Sequence, residues 1–216
     1  MARAFDSASS EYLEIDSCPV TSMPLTFGCW WYPTDQTVDS EVFWLGDKDA
    51  GAAYFAIGTR QDTGDADKFK ARLRIRGASG HTYIWGAEIA ANTWHHIAGR
   101  MTGSADQDLF CDGTKTDGGS GDDPTAAFDR TAIGRMGDVD PSNYSDGYVA
   151  EAAIWNVALT DDEMETLAAG FSPLFVRPQG LVAYWPLVRD TDDDVVGGYN
   201  MTAFNTPSIA AHPPQM

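Results

Sequence analysis

The sequence predicts an all-β protein in which two antiparallel sheets pack as a sandwich, with one short helix towards the C-terminal end. Apolar and polar residues alternate with a period of two through most of the chain, which is the side-chain spacing of a strand. Asp outnumbers Glu by 25 to 7 among the 216 residues, and Asp favours turns and caps over helix interiors. One capping-box pattern, Thr160 to Glu163, precedes the single segment with helical periodicity.

Four strands are predicted in the first quarter of the chain. Residues 5–16 (FDSASSEYLEID) predict an opening strand with a Ser-rich turn. Residues 24–33 (PLTFGCWWYP) carry apolar side chains on both faces, which is typical of a central strand. The runs 41–46 and 52–58 predict two further strands joined by a polar turn.

The middle of the chain contains a strictly alternating strand and a hairpin. In residues 68–76 (KFKARLRIR) the apolar side chains face inward and the basic ones outward; the outward set is Lys68, Lys70, Arg72, Arg74 and Arg76. Residues 83–90 continue the meander. Residues 93–113 (TWHHIAGRMTGSADQDLFCDG) predict a hairpin with its turn at 103–108.

The last third predicts strands around the helix. Residues 114–124 are loop-like, and strands are expected at 128–134, 148–159, 180–187 and 200–204. The helix is expected within Thr160–Ala169, with Gly170 ending it. The acidic run Asp190–Asp194 is interpreted as a solvated turn.

Several of these motifs resemble those of laminin G-like, concanavalin A-like jelly-roll domains. The opening strand, the WHHIA strand with a hairpin ending in Asp-Gly, and residues 147–160 (GYVAEAAIWNVALT) carry the resemblance. The last motif departs from the family pattern at Ala150, where Asp is usual. The resemblance covers nearly the whole chain and implies a single jelly-roll domain over residues 1–216.

Composition excludes some classes of partner. The formal net charge is −18, which argues against nucleic acid because phosphate contacts need clustered Lys and Arg. No apolar run reaches the length of about 18 residues needed to span a membrane, and no signal peptide is seen. The three cysteines, Cys18, Cys29 and Cys111, are expected to be buried free thiols, with a Cys18–Cys29 disulfide as the alternative.

Catalytic patterns are weak, so no enzyme activity is expected. Glu14 and Asp16 share a strand face, but the third carboxylate of the related hydrolase motif is missing. His95 and His96 are adjacent on a strand and point to opposite faces, which favours packing roles over a shared metal.

Calcium is a possible cofactor. Asp138, Asp140 and Asp146, with Asn143, crowd one loop with oxygen ligands of the kind that calcium prefers. The resemblance also implies a calcium ion at a sandwich rim, and Asp47 with Asp49 is a second candidate set.

Two surfaces are candidates for binding. The candidate sugar-binding residues are Trp85, Tyr144 and Asn143, because sugar binding uses an exposed aromatic platform with nearby amides or carboxylates. The outward set Lys68–Arg76 is interpreted either as a solvated face or as an interface with protein neighbours in a homo-oligomer or capsid.

The predicted function is that of a non-catalytic interaction protein. Stand-alone laminin G-like proteins without a leader resemble bacteriophage virion-surface proteins, which implies a capsid decoration or fibre component. The alternative is an extracellular carbohydrate-binding or adhesion module at a cell surface, and a glycoside hydrolase comes third.

Overall fold

The computed structural model describes residues 1–37, 39–62, 65–188 and 191–213, and the side chains of all these except 62 and 65–68. The chain forms two antiparallel sheets and a short helix, and this confirms the predicted two-sheet sandwich. The elements are β1 Ala2–Phe5, β2 Tyr12–Ile15, β3 Leu25–Pro33, β4 Ser40–Gly46, β5 Tyr54–Asp62, β6 Asp65–Gly77, β7 Gly80–Glu88, β8 His95–Gly103, β9 Asp106–Cys111, β10 Thr114–Thr116, β11 Arg130–Ile133, β12 Gly147–Trp155, α1 Asp161–Ala168, β13 Leu181–Trp185, β14 Thr202–Phe204 and β15 Ser208–Ala210.

Among the described residues, the first sheet has eight strands: seven lie in the order β10-β9-β8-β3-β12-β1-β15, and the eighth, β13, pairs with the second half of β12. The second sheet has seven strands in the same part of the chain, in the order β14-β2-β11-β4-β5-β6-β7. As predicted, β3 is central, because it lies between β8 and β12. Its alternating side chains explain this position: Phe27, Cys29 and Trp31 are fully buried between the sheets.

The main core lies between the two sheets, and a smaller apolar cluster lies outside the first sheet. In this second cluster Met164 and Leu167 of α1 pack on Phe110 and Trp155. The capping box is present as predicted, since Thr160 Oγ1 accepts from Glu163 N at 3.3 Å and Glu163 Oε2 accepts from Thr160 N at 2.8 Å. Among the described residues, no helix is long and apolar enough to cross a membrane.

Some expected boundaries were wrong. The opening segment forms two strands, with β1 in the first sheet and β2 in the second, because the turn at 6–11 carries the chain across the sandwich. The hairpin return strand β9 begins at Asp106, earlier than predicted, since the buried Gln107 and Asp108 find polar partners in Ser120 and Arg100. The edge strands β10 and β15 were not predicted.

The acidic turn was predicted to be solvated, and this is wrong for two of its residues. Asp192 and Asp194 are each 7% exposed. Asp192 pairs with the buried Arg3, and the carboxylate of Asp194 accepts four backbone N–H groups, from residues 184, 196, 197 and 199. Asp190 lies outside the described residues. All three cysteines are buried and free, as predicted.

Candidate functional site

The outer face of the second sheet carries a group of aromatic and basic side chains on strands β5, β6 and β7. Strand alternation puts Leu73 and Ile75 of β6 into the core, so Arg72, Arg74 and Arg76 project from the opposite face. Because β7 is the edge of this sheet, its outer side chains border open solvent.

His81, Tyr83 and Trp85 form a row of rings along β7, called here the ring ladder. Their centroids are 5.9 Å apart between His81 and Tyr83 and 6.0 Å apart between Tyr83 and Trp85, with planes inclined by 1° and 35°. The residues sit at positions i, i+2 and i+4, which place them on one face of a strand. Trp85 is 36% exposed, His81 is exposed and Tyr83 is half-buried. The ladder therefore offers ring surface to a ligand.

An arginine row on β6 lies directly beside the ring ladder. The sheet register pairs Arg72 with Trp85, Arg74 with Tyr83 and Arg76 with His81. The Cζ atom of Arg72 lies 5.5 Å from the centroid of Tyr83, and that of Arg74 lies 5.9 Å from the same ring. At these distances the ring quadrupole attracts the cations, so rings and guanidinium groups form one ordered layer.

Glu41 of β4 fixes two of the three arginines. Its Oε1 atom accepts hydrogen bonds from Arg72 Nη2, from Arg74 Nη1 at 3.2 Å and from Asn143 Nδ2 at 3.5 Å. Glu41 is fully buried and Arg72 is 1% exposed. Gly58 allows strands β4 and β5 to approach closely beside Glu41, because a Cβ atom at position 58 would lie 1.9 Å from the carbonyl oxygen of Ser40.

Of the two interpretations of the outward basic residues, that of a solvated face is wrong for Arg72. Its charge is buried against Glu41 of the same chain, and the Arg74 side chain is only 13% exposed. Lys70 and Arg76 are half-buried, and the side chain of Lys68 lies outside the described residues. Of the described arginines of β6, only Arg76 has no ion pair with a described residue, so the electrostatic case for a protein neighbour rests on Arg76.

The loop at 138–147 borders the outer face of the second sheet. Its two candidate sugar-binding residues, Asn143 and Tyr144, point in different directions. Asn143 reaches Glu41 and so lies on the face that carries Trp85. Tyr144 points elsewhere, with its ring centroid 6.1 Å from that of Tyr12 on β2. Asn143 has a φ of 51°, and this left-handed turn sends the two consecutive side chains in different directions.

The predicted calcium ligands are not gathered into one set. Both carboxylate oxygens of Asp146 accept from Ser7, and Asp138 Oδ1 accepts from the backbone N–H of Asp140 at 3.0 Å. Burial raises the pKa of Asp138, which disfavours the charged form that a calcium ion needs. These residues do not fit a calcium ion as they stand.

The second candidate pair, Asp47 and Asp49, does meet a third carboxylate. Ligand atoms of Asp47, Asp49 and Asp129 lie within 4.8 Å of one another. However, Lys48 Nζ lies 2.9 Å from Asp129 Oδ2 and already neutralises part of the cluster. A calcium ion would have to displace this ammonium group, so calcium stays a hypothesis.

The other titratable residues singled out from the sequence have structural contacts. Glu14 pairs with Arg135, and Asp16 pairs with Arg130 at 2.7 Å. His95 Nδ1 lies 2.7 Å from Asp112 Oδ2, and burial lowers the pKa of His96 to about 4.

A third cluster joins His95 and Asp112 to Cys111. Burial raises the pKa of the Cys111 thiol to about 12. A thiol must lose its proton to act as a nucleophile or to bind a metal. At neutral pH this thiol is protonated, which disfavours a role as a nucleophile.

Sequence reasoning missed Glu41, His81 and Tyr83. The alternation of His, Tyr and Trp in HTYIW was a usable signal for a row of rings on one face. The sequence signal for Glu41 was weaker, because it is a single carboxylate at the start of an apolar strand.

The chain is similar to a known protein family in sequence and to known structures in fold. The family model of the concanavalin A-like lectin/glucanases superfamily matches residues 7–165. A native heptameric SAP-like pentraxin from Limulus polyphemus is similar, with 16% identity over 77% of this chain and 81% of that chain and a TM-score of 0.63. A comparison with curated proteins gives no match.

Two further solved structures are similar. Domain 4 of AbnA, a GH43 extracellular arabinanase from Geobacillus stearothermophilus, in complex with arabinotriose, has 22% identity over 69% of this chain and 68% of that chain, with a TM-score of 0.52. Tailspike protein 2 from an Escherichia coli O157:H7 bacteriophage has 12% identity over 87% of this chain and 28% of that chain, with a TM-score of 0.58. At these identities the similarity shows the fold alone.

Proposed function

Because the chain belongs to the concanavalin A-like lectin/glucanases superfamily, we propose that it is a non-catalytic carbohydrate-binding module whose sugar site is the ring ladder with its arginine row. The observation that carries this proposal is the exposed Trp85 at the end of three ordered rings, beside donors held in place by Glu41. The arabinotriose-bound domain of similar fold supports it.

The chemistry of the face suits a sugar. A pyranose or furanose ring has apolar C–H faces and a rim of hydroxyl groups, and it needs both ring surface and oriented polar groups. Tyr and Trp supply large apolar area at low cost in conformational entropy. Arg74 and Asn143 are held on this face by their bonds to Glu41, so little ordering is needed when a ligand arrives.

The same contacts argue against glycoside hydrolysis at this face. A glycosidase needs two carboxylates free to act on the scissile bond, about 5–5.5 Å or about 6.5–9.5 Å apart. Glu41 is buried and bonded to two guanidinium groups. Asp138 accepts a backbone bond and is 4% exposed.

Replacing Trp85 by Ala tests the proposal. Affinity electrophoresis of the wild type through gels containing xylan, arabinan, dextran or polygalacturonate identifies a retarding polysaccharide. Trp85→Ala should then lose most of that retardation, because the exposed ring surface is gone. Phe175→Ala is the matched control, since Phe175 is 80% exposed and lies after α1, next to the first sheet. Equal retardation of Trp85→Ala and wild type would reject this face as the site.

A second candidate function is that of a bacteriophage virion-surface protein, as a capsid decoration or fibre component with protein neighbours. Its support is the fold shared with the phage tailspike over most of this chain. Arg76 has no ion pair with a described residue and is the side chain of the basic strand that would meet an acidic neighbour. Arg76→Glu should then lower the native mass measured by light scattering at low salt. An unchanged assembly, or a wild type that is monomeric at all concentrations, would reject this role for the strand.

A further inference from the structure

We infer that the sugar bound at the ring ladder carries a carboxylate or sulfate group, and that Arg76 is the residue that binds this negative charge. The inference rests on the proposed function and adds a ligand class to it. Three features of the face carry it: the excess of guanidinium groups, the state of His81 and the unused donors of Arg76.

The first feature is the local balance of charge. Three guanidinium groups and the ammonium group of Lys70 belong to this part of the sheet, and the neighbouring carboxylates are those of Glu41, Asp138 and Glu88, the register partner of Lys70. Glu41 alone is shared by Arg72 and Arg74. The face therefore carries positive charge, although the whole chain has a net charge of −18.

The second feature is His81 at the end of the ladder. Its Nδ1 atom accepts a hydrogen bond from Arg74 Nε at 3.3 Å, so the proton of the neutral ring is on Nε2. The pKa of His81 is lowered by burial and by the nearby charges of Arg74, Arg76 and Arg72. In its neutral form His81 therefore presents Nε2–H as a donor for a ligand beside the arginine row.

The third feature is Arg76 itself. Within the described part of the chain it has no ion pair, and its buried Nε atom has no hydrogen-bond partner. The register places it between Tyr54 and His81, at the end of the ladder opposite Trp85. A guanidinium group offers planar paired donors that match a carboxylate or sulfate group.

The negative charge of the rest of the chain opposes the binding of an anionic sugar. A chain of net charge −18 repels an anionic polymer at long range. Binding such a polymer therefore requires a local positive site. Because exposed charges are screened over about 10 Å at 0.1 M salt, the attraction at Arg76 should weaken as salt rises.

The test compares three groups of polymer by affinity electrophoresis and calorimetry. Polygalacturonate carries carboxylates, dextran sulfate carries sulfates, and dextran, xylan and arabinan are neutral. We expect the wild type to bind an anionic polymer more tightly than any neutral one. Which of the two anionic polymers binds identifies the charged group.

Three variants accompany the wild type. Arg76→Gln should weaken binding by about tenfold or more, as expected for loss of a charge-assisted contact, and should reduce its salt dependence. Trp85→Ala should weaken binding to the same polymer. Arg177→Gln is the control for charge, because Arg177 pairs with Glu163 of α1, away from this face, and should leave affinity unchanged. Circular dichroism and thermal unfolding verify that each variant is folded.

Failure of the inference and failure of the proposed function give different results. If the wild type prefers a neutral polymer and Trp85→Ala abolishes that binding, the inference is overturned and the function stands. If an anionic polymer binds but Arg76→Gln binds it equally well, Arg76 is not the charge-binding residue. If none of the five polymers binds, both the function and the inference fall.

Discussion

Replacing Glu41 by Gln should strongly destabilise the protein. The change keeps the size of the side chain and removes the charge that neutralises Arg72 and Arg74. Glu41 is fully buried, Arg72 is 1% exposed and the Arg74 side chain is 13% exposed. The variant would therefore leave a buried guanidinium group without a counterion.

The magnitude follows from this burial. Removing one partner of a buried ion pair costs about 3–5 kcal/mol, whereas a typical domain has about 5–15 kcal/mol of stability in all. With an unfolding slope of about 2–3 kcal/mol per molar urea, the midpoint of Glu41→Gln should fall by about 1–2 M. Urea titration followed by tryptophan fluorescence measures this shift.

An exposed ion pair provides the control. Lys115 Nζ lies 2.7 Å from Asp117 Oδ1, and the Asp117 side chain is 80% exposed. Asp117→Asn should change stability by at most about 1 kcal/mol, because water screens such pairs. If Glu41→Gln changes the midpoint as little as Asp117→Asn does, the argument from a buried pair is refuted.

Three other predictions concern the rest of the sandwich. The pKa of His96 is about 4 in the fold and about 6.5 when unfolded, so the unfolded chain takes up a proton that the folded chain excludes. The free energy of unfolding should then fall by about 3 kcal/mol as the pH drops from about 6.5 to about 4, and urea titrations of His96→Phe should lack that contribution; an identical pH slope in both proteins would contradict it. Asp194→Ala should cost about 3 kcal/mol or more, because four backbone N–H groups lose a charged acceptor; a thermal midpoint within 2 °C of the wild type would rule this out. EDTA should leave the thermal midpoint unchanged, because Lys48 already pairs with Asp129; a lower midpoint that calcium restores would show instead that the ion binds.

Much of the fold could be predicted because its signals are local. The alternation in residues 68–76 predicted which side chains of β6 face the core, and Leu73 and Ile75 are fully buried as expected. The capping box from Thr160 to Glu163 predicted where α1 begins. The candidate site was predicted in part: Trp85 and Asn143 lie on one face, while Tyr144 lies near Tyr12.

The sequence by itself determined most of the strands, the alternation of their side chains and the position of the helix, because these depend on spacing over a few residues. Only the tertiary structure decided which charges meet. Glu41 lies 31 positions before Arg72 and 102 before Asn143, and sheet order brings the three together. Periodicity places an arginine on the outer face of a strand, but the partner across the sheet determines whether it is buried or free. For this reason Arg72 is part of an internal ion pair, whereas Arg76 has no ion pair with a described residue.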